Sequence, residues 1–243
     1  MILAAGKGTR MRPLTDNCPK PLLNVAGKPL IVHHIEQLVR LGIKEIIINH
    51  AYLGYMIEET LGDGSQFGCH LQYSAESEAL ETGGGIFKAL PLLMEDEDQN
   101  APFLLINGDV WLDWSVLNLP ESIEGLCHLW LVQNPEHNLD GDFVLTNTNQ
   151  VLDKHQQAHQ QNNEHLAEKD NPSLTYTGMS LIKPGLFHGC EHGSFPLAPL
   201  LRQAMNQNLS TGELYQGVWV DVGTPERLDF VEALIKSQGC VQQ

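Results

Sequence analysis

Basic residues are scarce in this 243-residue chain: 14 Lys plus Arg stand against 30 Asp plus Glu, a formal net charge of −16 at pH 7 and a pI near 4.9. That balance excludes ordinary non-specific binding to nucleic acid or an anionic membrane, because proteins that neutralise rows of phosphates present a basic face. Long apolar runs are missing too. Runs such as Phe103 to Ile106 and Ile46 to Ile48 have the length of buried strands and fall far short of the roughly 20 residues that cross a bilayer. The opening Met1-Ile-Leu-Ala-Ala5 passes at once into glycine and charge, so it is not a secretory core, and a cytoplasmic location is expected. The five cysteines (Cys18, Cys69, Cys127, Cys190, Cys240) are odd in number, widely spaced and without a C-x-x-C pair. They read as free thiols in a reducing compartment rather than a disulfide framework or a structural zinc site.

What is present begins with an uneven charge distribution. Lys7, Arg10, Arg12, Lys20 and Lys28 fall in the first 28 residues, where Asp16 is the only acid, so five cations against one anion leave that segment at +4 and the remainder at −20. Hydrophobic residues make up 42% of the chain, enough for a sizeable core and roughly one domain.

Up to about residue 140, short apolar runs alternate with longer segments of helical period, the signature of an α/β fold with a largely parallel sheet. The expected strands are 1–4, 45–49, 71–74, 103–107 and 126–132; the expected helices are 29–41, 53–61 and 84–93. In the first helix, Pro29 opens, Ile31, Ile35, Leu38 and Val39 share a face, and Gly42 closes. Beyond residue 140, strands are expected over 142–146, 150–152 and 174–182, then helices near 196–206 and 225–236. No Pro/Gly/Ser-rich linker precedes this part, so it reads as a lobe added to the sheet. The tract from Lys154 to His165, rich in His, Gln and Asn, reads as a solvated loop; His155 and His159 have the i, i+4 spacing of a helical metal pair, but the bland reading is favoured.

Five segments carry chemistry. Leu3-Ala-Ala-Gly-Lys-Gly-Thr-Arg-Met-Arg-Pro-Leu-Thr15 follows the first strand, and its small residues let backbone N–H groups approach an anion. It lacks the third glycine of the dinucleotide fingerprint and the ending of a Walker loop, which argues against a nicotinamide-dependent dehydrogenase. Cys18-Pro-Lys-Pro-Leu22 holds Lys20 between two prolines that stiffen the backbone. Asn107-Gly-Asp-Val110 places Asp109 at the carboxyl end of an apolar strand, where open α/β sheets bind ligands, and Val218-Trp-Val-Asp-Val-Gly-Thr-Pro225 does the same for Asp221. Hard carboxylates there suit Mg²⁺ on a nucleotide phosphate; singly, each acid also reads as a turn or cap residue. Leu80-Glu-Thr-Gly-Gly-Gly-Ile86 leads a glycine triplet into a helix, room for a flat base or ribose.

The glycine-rich loop, the Pro-Lys-Pro, the Asn-Gly-Asp and the Trp219-Val-Asp-Val-Gly-Thr-Pro225 segment occur in the order found in sugar-1-phosphate nucleotidylyltransferases, and the chain resembles that family over essentially its whole length. Within it, Ile48-Asn-His-Ala51, Leu80 to Leu90 and Asn107 to Trp111 most resemble the uridylyltransferases that act on N-acetylmuramate α-1-phosphate in bacterial cell-wall recycling. The resemblance implies a Rossmann-like, mainly parallel sheet flanked by helices with a smaller β-rich sugar-binding lobe. It implies one domain over 1–243, with 1–140 binding nucleotide and 141–243 forming the sugar lobe and second metal-ligand station.

It also implies a reaction in which a sugar-1-phosphate oxygen attacks the α-phosphorus of UTP and expels pyrophosphate. Arg10 and Lys20 would be catalytic. Ala5, Gly6, Gly8, Thr9, Arg10, Lys20, Glu81, Thr82, Gly83, Gly84 and Asn107 would bind nucleotide, Asp142, Asp153 and Gly178 the sugar, and Asp109 and Asp221 Mg²⁺. Mannose-, heptose- or glucose-1-phosphate with GTP, dTTP or UTP are alternative substrate pairs, and a non-catalytic nucleotide-sugar sensor is a further one. No nucleic-acid or membrane partner is expected, and the chain is read as a monomer or small homo-oligomer.

Overall fold

The computed structural model describes residues 1–94, 100–154 and 171–239. In chain order its elements are β1 (Ile2–Leu3), the short hairpin β2 (Asn24–Val25) and β3 (Lys28–Pro29), α1 (Leu30–Arg40), β4 (Glu45–His50), α2 (Gly54–Leu61), β5 (His70–Ala75), α3 (Glu81–Leu93), β6 (Phe103–Asn107) and β7 (Val110–Leu112). There follow β8 (Cys127–Val132), β9 (Phe143–Leu145), β10 (Val151–Asp153), β11 (Ser173–Ile182), α4 (Ala198–Asn206), β12 (Ser210–Leu214), β13 (Trp219–Asp221) and α5 (Pro225–Gly239).

The apolar runs pair as a parallel sheet in the order β5-β4-β1-β6, with Ile2 between Ile48 and Ile106. On the far side of β6 the ten-residue β11 runs antiparallel, and β8 and then β12 extend the same sheet. The first residues of β11 also pair with β9, which carries β10, so a small β-rich lobe grows out of the sheet itself. This is the mixed, mainly parallel Rossmann-like architecture, flanked by helices, that the alternating pattern implies.

Alternation along each strand sends its two sets of side chains to opposite faces. Ile2, Ile46, Ile48 and Ile106 meet Ile31, Ile35 and Leu38 of α1 on one face; Ile47 and Leu105 meet Ile86 and Ala89 of α3 and Leu201, Ala204 and Met205 of α4 on the other. Each such aliphatic side chain contributes about 1.5–3 kcal/mol by leaving water. A third, smaller core joins Met11, Val25, Leu30, Trp111, Val220, Val222, Leu228 and Val231. It ties the glycine-rich segment, the hairpin, β7, β13 and α5 into one support.

The sequence pattern does not anticipate β2, β3, β7 and β12, and it places the start of α3 too late. Strand β12, Ser210-Thr-Gly-Glu-Leu214, has little apolar alternation because it is an edge strand paired within the sheet only to β8. Helix α3 starts at Glu81, three residues before the expected start, so the glycine triplet lies inside its first turns. His155, His159, Cys240 and the His/Gln-rich tract after Lys154 lie outside the described residues. Among the described residues no helix is long and apolar enough to cross a membrane.

Candidate active site

The parallel strands β1, β4, β5 and β6 end on one side of the sheet, and their carboxyl ends frame a cavity of about 430 Å³. Ala5, Gly6, Gly8, Thr9, Arg10, Lys20, Glu81, Thr82, Asn107 and Asp109 all line it, so ten residues singled out from sequence meet in one place.

The loop after β1 explains its own two glycines differently. Gly8 has φ +62°, and a Cβ there would lie 3.0 Å from the Thr15 methyl and 3.2 Å from Lys20 Cβ; the Thr15 hydroxyl donates to Gly8 O at 2.8 Å. The chain itself requires that glycine. A Cβ on Gly6 would meet no atom within 4 Å. The free space at Gly6 serves no packing need inside the protein, and it opens on the cavity. One residue past Arg10, Met11 is fully buried in the third core and anchors the short 3₁₀ turn Thr9–Met11 that carries Arg10.

Lys20 is almost fully buried, between Pro19 and Pro21, yet its Nζ donates to Asp109 Oδ2 at 2.8 Å. Asp109 lies just past the end of β6, where Gly108 N–H donates to Leu3 O at 2.8 Å and locks the turn against β1. The second acid arrives through the β7–β13 ladder, whose register sets Asp221 opposite Val110. Val222 N–H donates to Asp109 O at 2.8 Å, so the two acid-bearing turns are stitched together. An ideal Cβ on Gly223 would lie 3.1 Å from both Asp221 Oδ1 and Arg10 Nη1, which places Arg10 beside the second acid. Lys20, Asp109, Arg10 and Asp221 thus form one cluster, drawn from both ends of the chain.

Among the described residues no group of three or more His, Cys, Asp or Glu side chains is arranged to hold a metal by itself. Asp109 on the cavity wall, with Asp221 outside the lining behind Gly223, is nonetheless a donor set suited to Mg²⁺, which takes one or two carboxylates and completes its shell with water and substrate phosphate oxygens. The residues present fit that ion.

Sequence reasoning gave no site role to two buried polar residues of the cavity wall. Asn49, the penultimate residue of β4, accepts from Ala4 N–H at 3.0 Å and donates to Glu76 Oε1 at 2.7 Å; Glu76, just past β5, accepts from Leu80 N–H at 3.2 Å through its other oxygen. Both are buried. The chain Ala4, Asn49, Glu76, Leu80 braces the phosphate loop against the start of α3. The strand-end rule applied to Asp109 would have found both residues had it been applied to β4 and β5. Glu81, next to that brace, adopts φ +56°, a left-handed conformation that costs a non-glycine residue about 1–3 kcal/mol and that clusters at functional sites.

Gly83 and Gly84 do not line the cavity. A Cβ on Gly83 would lie 2.6 Å from the Phe195 ring and one on Gly84 2.2 Å from Gly193 O, and Gly84 N–H donates to Phe195 O at 3.0 Å. Packing of α3 under the 193–195 segment accounts for these glycines, and the Asn49–Glu76 pair accounts for Gly85, whose Cβ would lie 2.6 Å from Glu76 Oε1.

The three acceptor-side residues also sit outside that cavity. Asp142 accepts from Tyr176 N–H at 2.9 Å and from Asn138 Nδ2 at 3.3 Å, fixing the 133–142 segment on β11. Asp153 pairs with Arg202 of α4 at 3.4 Å. Gly178 lies where the β8–β11 register shifts, packed on the Asn107 side chain, and so touches the cavity wall from behind. Trp219, which sequence reasoning left without a role, donates its indole N–H to Thr177 O at 2.9 Å and borders a second cavity of about 340 Å³ with Gln133, Tyr215 and Gly217.

Comparison with known proteins gives the family and the fold. The nucleotidyl transferase family matches residues 1–124. The chain is 47% identical over 243 residues to N-acetylmuramate alpha-1-phosphate uridylyltransferase of Neisseria meningitidis, covering 96% of each. It is 32% identical to the Caulobacter vibrioides protein of the same name, covering 93% of this chain and 92% of that one. The crystal structure of HddC from Yersinia pseudotuberculosis complexed with GMP-PN has a TM-score of 0.70 at 18% identity, covering 96% of this chain and 97% of that one.

Proposed function

We propose, for a chain that belongs to the nucleotidyl transferase family and catalyses a sugar-1-phosphate nucleotidylyl transfer, that the substrates are UTP and N-acetylmuramate α-1-phosphate and the products UDP-N-acetylmuramate and pyrophosphate. The observation that carries the reading is the meeting of Lys20, Asp109, Arg10 and Asp221 beside the open Gly6 loop. Identity of 47% over nearly the full length of a relative with that substrate pair supports the choice of base and sugar.

In this reading the triphosphate lies along the loop of Gly6 to Thr9, with Arg10 against its outer phosphates. Lys20 leaves or shares Asp109 to meet the α-phosphate and the incoming sugar phosphate. Two anions must be brought together, so fixed cations that neutralise charge developing on the α-phosphoryl oxygens supply much of the catalysis. The attacking phosphate oxygen is already ionised, so no general base is required. Asp109 and Asp221 would hold Mg²⁺, which when bound supplies charge neutralisation on the triphosphate oxygens. Glu81, Thr82 and Asn107 flank the nucleoside; Asp142 and Asp153 shape the lobe that receives the sugar, and Gly178 backs Asn107.

Pyrophosphate release tests the substrate assignment when UTP, GTP and dTTP are each paired with N-acetylmuramate, mannose and glucose 1-phosphates. The expected result is the highest kcat/KM for UTP with N-acetylmuramate α-1-phosphate. A higher value for any other pair rejects it.

A further inference from the structure

We infer that Arg227 is a positioning residue for the reaction, holding one oxygen of Asp221 so that the other faces the reaction centre; the inference rests on the reading of Asp221 as a metal ligand. Arg227 is the third residue of α5, and its Nη1 donates to Asp221 Oδ2 at 2.8 Å and to Asp221 O at 2.9 Å. One nitrogen that grips both the main chain and the side chain of the same residue fixes the side-chain rotamer as well as neutralising the charge. The pair is only 20–24% exposed, so it is shielded from the screening that weakens surface ion pairs.

The two Asp221 oxygens therefore differ. Oδ2 belongs to Arg227, while Oδ1 lies on the Gly223 and Arg10 side, and both of those residues line the cavity. Neither Arg227 nor Asp221 is part of the lining; Asp221 Oδ1 borders it at Gly223 and Arg10, and Arg227 acts through Asp221. His137 closes the other side: its Nε2 lies 3.3 Å from Arg227 Nη1 and 3.5 Å from Asp221 Oδ2. His137 sits in the 133–142 segment, which Asn134, Asn138 and Asp142 bind to β11. The orientation of the second acid thus depends on α5 and on the acceptor-side lobe together. Freed from Arg227, the carboxylate would rotate, and its next cation would be Arg10 on the cavity side. Groups that orient metal ligands in this way are worth about 10–100-fold in metal affinity or activity.

The test is a titration of the full-length protein with Mn²⁺ and UTP, without sugar phosphate, in which enzyme-bound Mn²⁺ is followed by electron paramagnetic resonance. Arg227→Met is expected to raise the Mn²⁺ concentration for half-occupancy by about tenfold. Arg227→Lys, which keeps the charge but not the planar fork, is expected to fall between Met and wild type. In turnover assays, excess Mg²⁺ should restore kcat in both variants, a split that a general loss of structure does not produce. Wild-type half-occupancy in Arg227→Met, with Asp221→Asn clearly weakened, overturns the positioning role alone. Unchanged half-occupancy in Asp221→Asn overturns the metal assignment on which it rests. If Arg227→Met melts below the assay temperature, Arg227→Lys decides: occupancy identical to wild type counts against the inference and weakened occupancy supports it.

Discussion

The wall of the cavity that faces phosphate and the lobe that faces the acceptor use the same residue types in opposite ways. On the phosphate wall the charged groups converge on open space: Lys20 and Asp109 meet at the rim, Arg10 stands by Gly223, and Gly6 leaves room that no side chain among the described residues fills. In the acceptor lobe the acids are engaged in building the lobe, Asp142 through Tyr176 and Asn138, Asp153 through Arg202. A carboxylate at a strand end thus borders open space in one region and is a structural acceptor in the other. What separates them is what the surrounding main chain leaves for them to bind.

The contrast breaks if Lys20 is dispensable. Lys20→Met is expected to lower pyrophosphate release by 100-fold or more, about the loss seen when a preorganised charge-stabilising donor is removed, with a melting temperature near wild type. Below that lies an effect of pH. His34, fully buried behind β7 and edge-on to Trp114, has its pKa pushed down to about 4 by burial, which the Val110 main chain opposes only in part. The unfolded chain binds that proton near pH 6.5 and the folded chain does not, so stability is complete above pH 6.5 and falls as pH drops towards 4. At 1.36 kcal/mol per pH unit the loss reaches about 3 kcal/mol. Denaturant midpoints measured across this range should fall towards acid, and His34→Leu should flatten the slope; burial depresses His33 and His128 as well, so some slope remains.

Smaller effects sharpen the comparison. Asp142→Ala strands the Tyr176 N–H and should cost about 1–3 kcal/mol in denaturant stability. It should also raise KM for the sugar phosphate more than KM for UTP, whereas equal rises would place Asp142 with the phosphate wall. At the bottom of the scale, Gly8→Ala should cost about 1 kcal/mol or more because of its positive φ. Gly6→Ala should change stability by less than about 0.5 kcal/mol and yet raise KM for UTP. If Gly6→Ala destabilises as much as Gly8→Ala, the space at Gly6 belongs to the fold and not to a ligand.

The parallel half of the sheet was legible because β1, β4 and β6 are apolar runs with helices between them, and the phosphate wall because its groups lie within a few residues of strand ends. Strand β12 was hidden by its polar edge position. Asn49 and Glu76 were hidden because each is one ordinary polar residue until the sheet lines up the ends of β4 and β5. The glycine triplet was legible as a feature but its cause was not: Gly84 is required by Gly193 O, more than 100 residues away in sequence. Arg227 and His137 carry no motif, and only the fold brings them to Asp221.

The central claim is that the β7–β13 ladder makes Asp109 and Asp221, 112 residues apart in sequence, parts of one reaction centre. A double-mutant cycle on pyrophosphate release with Asp109→Asn, Asp221→Asn and the pair tests it most directly. Residues that act as a unit give grossly non-additive losses. The double variant is therefore predicted to be little worse than the worse single one. Losses that multiply across the two positions would contradict a shared centre.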